Sequence, residues 1–178
     1  MKKTILASLL AAAALAPMAS FASDGTINFS GQITDQTCTI NGGQPTFTVT
    51  LPKVSASTLA AAGSQAGSTR VPLTLTNCTP TSGGVRLYFE PGANVDYTTG
   101  RLNVAAGGAK NVQIGLFNDA AGTSKVNIGA MTGGQNTAFF PIAADGTANP
   151  VYYAMYVSKG GATSGATTTS VTYSLEYQ

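Results

Sequence analysis

Apolar and polar residues alternate through most of this chain. Phe47, Val49 and Leu51 are separated by Thr48 and Thr50, and the same spacing recurs at Val71, Leu73 and Leu75. It returns at Val85, Leu87 and Phe89, at Val112, Ile114 and Leu116, and at Val151, Tyr153, Met155 and Val157. A last run, Val171, Tyr173, Leu175 and Tyr177, ends one residue before the terminus. A period of two predicts strands with one face buried. Gly- and Asn-rich pieces at 41–43, 105–109 and 160–165 punctuate them as turns. One short helical turn is expected over 57–62. Many strands with turn punctuation predict an all-β fold, an antiparallel sandwich of immunoglobulin-like type. The chain has no Trp, so the Cys…Trp…Cys pattern of antibody domains is absent.

The first residues break this pattern. Lys2 and Lys3 precede an apolar stretch from Ile5 to Leu15, Pro17 follows, and Ser20-Phe21-Ala22 puts small residues at the −3 and −1 positions of a cleavage site. This predicts a signal peptide over 1–22, cut after Ala22. The apolar stretch is too short for a membrane span, and none is expected later. Export bears on charge and on sulfur chemistry. The full chain carries nine Lys+Arg and seven Asp+Glu. Loss of Lys2 and Lys3 leaves seven of each, a balance that argues against nucleic acid or an anionic membrane surface as partner. Little net charge then keeps copies apart. Cys38 and Cys78 are the only cysteines, and in an exported chain such a pair predicts a disulfide. Closing that loop stabilises the fold by roughly 4 kcal/mol in the chain-entropy picture.

Candidate chemistry is sparse. Without histidine, Ser-His-Asp and Cys-His sites and His-ligated metal centres cannot be built. The only glutamates are Glu90 and Glu176, and Glu176 occupies a polar, solvent-facing position of the last alternating run. The Gly-rich loops lack the Gly-Lys-Ser/Thr ending of a phosphate-binding loop. No catalytic residue, metal or cofactor is expected.

The two ends carry more information. Gly25, Ile27, Phe29, Gly31 and Ile33 alternate with polar residues just after the expected cleavage site, where chain termini are usually polar and loose. This is either the first strand of the domain or a strand given to another molecule. The C-terminal run likewise presents large side chains on one face, which need a partner.

Together these features resemble the major-subunit family of chaperone–usher pili, of the type 1 fimbrial kind. The resemblance spans residues 23–178. It rests on Gly25-Thr-Ile-Asn-Phe-Ser-Gly-Gln-Ile33 ahead of Cys38, the step from Cys38 to Cys78, and Val71-Pro-Leu-Thr-Leu-Thr-Asn-Cys78. It rests also on Tyr152-Tyr-Ala-Met-Tyr156, the penultimate Tyr177, and Gly165 upstream of the last strand. It implies an incomplete sandwich over 37–178, completed by a donor strand from the extension 23–36 of a neighbour. Gly25, Ile27, Phe29, Gly31 and Ile33 would then be the donated face. Gly165, Val171, Tyr173, Leu175 and Tyr177 would form the groove edge that a periplasmic chaperone covers first. Identical or related pilin subunits and an outer-membrane usher are the further partners implied, and the route leads through the periplasm to a surface fimbrium supporting adhesion. A minor tip adaptor or adhesin subunit of such a pilus, or a free-standing secreted β-sandwich module, are the alternatives.

Overall fold

A computed structural model describes residues 27–31, 33, 35 and 37–178. The expected signal peptide over 1–22, its cleavage site and Gly25 lie outside these residues. The chain divides into two units, Met1–Thr34 and Asp35–Gln178. In the first, the described side chains of Ile27, Phe29 and Ile33 are 78 %, 92 % and 100 % exposed.

The second unit is all-β, as the alternation predicts. Its strands are β1 (Thr37–Ile40), β2 (Gln65–Pro72), β3 (Leu75–Thr79), β4 (Gly84–Phe89), β5 (Val95–Asp96), β6 (Arg101–Asn103), β7 (Val112–Phe117), β8 (Phe140–Pro141), β9 (Val151–Ser158) and β10 (Tyr173–Tyr177). They form a five-stranded sheet ordered β2-β9-β7-β6-β5, a three-stranded sheet β10-β4-β8 and a pair β1-β3, with every pairing antiparallel. The core lies between the two larger sheets. Leu87 and Phe89 of β4 face Ile114 and Leu116 of β7 and Ala154 and Tyr156 of β9.

Tyr152 shows how the layers are joined. It is fully buried, and its ring meets Phe89 and Phe140 edge-on, with centroids 5.5 and 5.8 Å away. Its hydroxyl accepts from Leu87 N–H at 3.2 Å and donates to the Ala138 carbonyl at 3.3 Å. Farther along β4, the buried Gln135 amide accepts from Phe89 N–H at 2.9 Å and donates to Phe89 C=O at 2.7 Å. One side-chain amide thus replaces a strand partner where β8 has ended, which spares β4 two unmet backbone groups.

The disulfide between Cys38 and Cys78 is present and ties β1 to β3. Beyond β1, Asn41–Gly43 turn as a 3-10 helix, with Gly42 at a φ of 63° that favours glycine. The turn expected over 57–62 is a 3-10 helix at Ala56–Leu59, capped by the Ser55 hydroxyl and anchored by buried Leu59.

Four expectations are corrected. The run Val71–Leu75 is not one strand: β2 ends at Pro72 and β3 begins at Leu75, as the chain passes from the five-stranded sheet to the pair. β7 is buried on both faces rather than one, because Phe117 joins Met155 and Val157 in a second small cluster. Glu176 does not face solvent freely. It accepts from Arg86 Nε at 2.8 Å across β10 and β4, and Arg86 also lies 4.2 Å over the Phe139 ring. Finally, Phe47–Leu51 keeps its alternation but joins no ladder among the described residues, for reasons that lie in the groove beside it.

Candidate functional site: a groove between two unpaired edges

Among the described residues the C-terminal strand pairs along one edge only. β10 pairs with β4, setting Tyr173 opposite Phe89, Leu175 opposite Leu87 and Tyr177 opposite Val85. Even-numbered residues make the backbone bonds. Gln178 N–H donates to the Gly84 carbonyl, and the Thr172 carbonyl accepts from Glu90 N–H, each at 2.9 Å. The pattern continues upstream, where the Thr168 and Ala166 carbonyls accept from Ala105 and Ala109 N–H at 2.9 and 2.8 Å. Strand geometry therefore turns the N–H and C=O groups of the odd-numbered residues, from 167 to 177, toward the opposite edge. Among the described residues no strand pairs with that edge.

The facing wall is the extended segment 45–54. It makes no backbone–backbone hydrogen bond with another described residue. Val49 and Leu51 hold it by packing against the core. Between the walls lies a cleft of about 800 Å³, flanked by Pro45–Leu51 on one side and Thr167–Tyr173 on the other. Its floor is the core itself, including Leu87, Phe89, Ile114 and Tyr156. A second cavity of about 470 Å³ shares Leu51, Tyr156 and Thr167 with the first and extends it past Lys53 and Leu59 to Gly165. The result is one long trough, apolar below and lined above by backbone that no described strand pairs with. A strand pattern without a ladder at Phe47–Leu51 follows directly: hydrogen bonding defines a strand, and the neighbouring place is empty of any described strand.

Of the residues expected at the groove edge, Gly165, Val171 and Tyr173 line the trough. At Gly165 the chain passes so close to the next segment that a Cβ would lie 2.7 Å from Ala109 N, so only glycine fits without a shift. Leu175 and Tyr177 continue the same strand beyond the trough and pack against the cluster that contains Cys78 and Cys38. Burial raises the Tyr173 phenol above its ordinary pKa, and burial raises that of Tyr177, opposed by its hydrogen bond with the Cys38 backbone. Of the expected donor residues, Ile27, Phe29 and Ile33 are exposed, and nothing lies within 4 Å of where a Gly31 Cβ would be.

Sequence reasoning missed the second wall. Phe47, Val49 and Leu51 read as an ordinary strand, and the only signal that set them apart is the pair Pro45 and Pro52 on either side, which favours edges over sheet interiors. Among the described residues no three His, Cys, Asp or Glu converge, and no helix is long and apolar enough to cross a membrane.

Comparison with known proteins adds an independent finding. Residues 51–178 match the family model FimA, described as type-1 fimbrial protein, A. The chain is 43 % identical to the major fimbrial subunit SMF-1 of Stenotrophomonas maltophilia, covering 92 % of this chain and 98 % of that one. It is 42 % identical to the F17 fimbrial protein of Escherichia coli, over 93 % and 94 % of the two chains. Among solved structures, a chain of a chaperone–usher pilus superposes with a TM-score of 0.60 at 20 % identity, over 92 % of this chain and 100 % of that one, a likeness of fold.

Proposed function

Since the chain belongs to the type-1 fimbrial protein family and is a structural pilin subunit, we propose that it polymerises by donor-strand exchange. In this reading residues 23–36 of one copy lie as a strand in the trough of the next. The observation that carries the proposal is the trough, with its core floor open between two backbone edges that no described strand pairs with. Such an edge templates pairing with another chain unless it is covered. Donation of a pilin strand is an established form of β-augmentation, in which backbone bonds give affinity and alternate side chains give specificity.

The expected donor face suits this role. Ile27, Phe29 and Ile33 are exposed and alternate with polar residues. Burying each contributes roughly 1.5–3 kcal/mol. Each new ladder bond adds about 1 kcal/mol. A periplasmic chaperone covers the trough first, along the edge from Gly165 through Val171, Tyr173, Leu175 and Tyr177, and an outer-membrane usher is where the next subunit replaces it. Association with other pilin subunits in a surface fimbria follows from the family; transit through the periplasm, the chaperone and the usher belong to the proposal.

The test is the double substitution Ile27→Asp and Phe29→Asp. Charges buried without partners cost far more than the apolar burial they replace. The variant is expected to be recovered with the chaperone but to form no fibres by electron microscopy of sheared surface material. Full-length fibres would overturn the proposal, and so would failure to load on the chaperone, which is the behaviour of an ordinary first strand.

A further inference from the structure

We infer that Tyr173 is a positioning residue that keeps the trough one strand wide; the inference rests on the strand-donation reading above. Tyr173 Oη donates to the Pro45 carbonyl at 2.7 Å, from the C-terminal wall to the facing one. This is the one hydrogen bond that segment 45–54 makes with the other described residues beyond the Ser55 turn. The same ring meets Phe47 edge-on, with centroids 6.4 Å apart and planes at 70°. The wall is otherwise held by the packing of Val49 and Leu51.

Two unpaired edges that face each other across an apolar floor tend to close. If they met, they would pair at the ordinary strand spacing of about 4.8 Å, bury the floor and leave no place for a third strand. A trough that admits one strand needs its walls about two such spacings apart. An extended tyrosine side chain with one hydrogen bond at its tip is of this length, and neither an aliphatic side chain nor a serine is. Phe47 supports the ring from the far wall while remaining 38 % exposed, so it lies at the mouth rather than in the core. Tyr173 therefore acts as a spacer below the path of the incoming strand, and preorganises an acceptor that the apolar floor alone would draw shut.

The experiment uses the full exported chain bound to its chaperone, challenged with a synthetic peptide of residues 23–36. The readout is the rate at which peptide displaces chaperone. Tyr173→Leu keeps an apolar side chain but shortens it, and is expected to slow exchange about tenfold, the scale of one preorganising interaction. Tyr173→Phe keeps the ring but loses the Oη tip and its bond to the Pro45 carbonyl, so its rate should fall between those of the parent and the leucine variant. Phe47→Ser, an exposed change, should slow exchange in the same direction and serves if the leucine variant loads poorly. Exchange by the leucine variant at the parental rate or faster would overturn the inference, since a clasp that must open gives that sign. Equal slowing by phenylalanine and leucine would overturn it as well, because length would then be irrelevant. If the parent chain exchanges readily while these variants behave in either of those ways, strand donation stands and the spacer falls. If the parent accepts no peptide, strand donation fails and the spacer fails with it.

Discussion

At Leu175 and Tyr177 the C-terminal strand packs with Cys38 and Ile40 on one buried cluster, and of these four only Ile40 lines the trough, so this end is shut against it. At Val171 and Tyr173 the same strand, with the same alternation, faces segment 45–54 across an open trough. Both regions set large apolar side chains on one face, and in both no described strand pairs with the backbone edge on the odd-numbered side. What separates them is the chain opposite. β1 is anchored to β3 by ladder bonds and by the disulfide, so its side chains stay on the cluster formed by Leu75, Val85 and Ile142. Among the described residues, segment 45–54 has no ladder on either edge and is joined to the rest by packing and by the Tyr173 bond. Side-chain alternation thus builds a wall in either case, and covalent and backbone anchoring decides whether the wall closes.

The largest expected effect comes from loosening the shut end. Replacing Cys38 and Cys78 by Ser frees a loop with a sequence separation of 40 residues. The loss is roughly 4 kcal/mol in the chain-entropy picture. A domain with an exposed core floor has little stability to spare. The double variant should be degraded rather than recovered with the chaperone, and immunoblots of periplasmic fractions would show it. Recovery at parental levels would mean that the shut end holds by packing alone.

A smaller effect is expected at the narrow end of the open region. Gly165→Val puts a branched side chain where even a Cβ lies 2.7 Å from Ala109 N. The strain costs about 1–3 kcal/mol, as overpacking does, and it pushes the wall at 165–167 out of place. Chaperone complexes should form with a midpoint of thermal unfolding several degrees lower, and fibres should be fewer and shorter by electron microscopy. Parental fibre length would show that the trough functions without its Gly165 end.

Much of this arrangement is legible in the residues, and the limits are physical. β4, β7, β9 and β10 each lie on an alternating run, and the disulfide follows from two cysteines in an exported chain. Alternation reports where side chains point, not which backbone edges are paired. Phe47–Leu51 and Val85–Phe89 therefore look equivalent, although one is an unpaired wall and the other a central strand. Nor does local pattern reveal a side chain acting as a strand partner, as Gln135 does for Phe89, because the two are joined only by the fold. The Tyr173–Pro45 bond is invisible for the same reason: 128 residues separate its partners.

The smallest expected effect falls on the edge that the shut and open regions share. Glu176 reads as solvent-facing on period alone, yet it sits directly opposite Arg86 and accepts from its Nε at 2.8 Å. The pair is only partly shielded, with side-chain exposures of 14 % for Arg86 and 26 % for Glu176. Its worth should lie near that of an exposed pair, up to about 1 kcal/mol, because water screens both charges. Arg86 has a second interaction with the Phe139 ring at 4.2 Å, so removing Glu176 leaves the guanidinium anchored. Glu176→Gln should therefore lower the unfolding midpoint slightly and leave fibre assembly intact, since the pair braces β10 to β4 on the side away from the trough. A double-mutant cycle with Arg86→Gln, read by thermal unfolding of the chaperone complex, isolates the pair from the ring contact. A coupling well above about 1 kcal/mol, or a loss of fibres in Glu176→Gln alone, would show that bracing of the inner edge governs the open one.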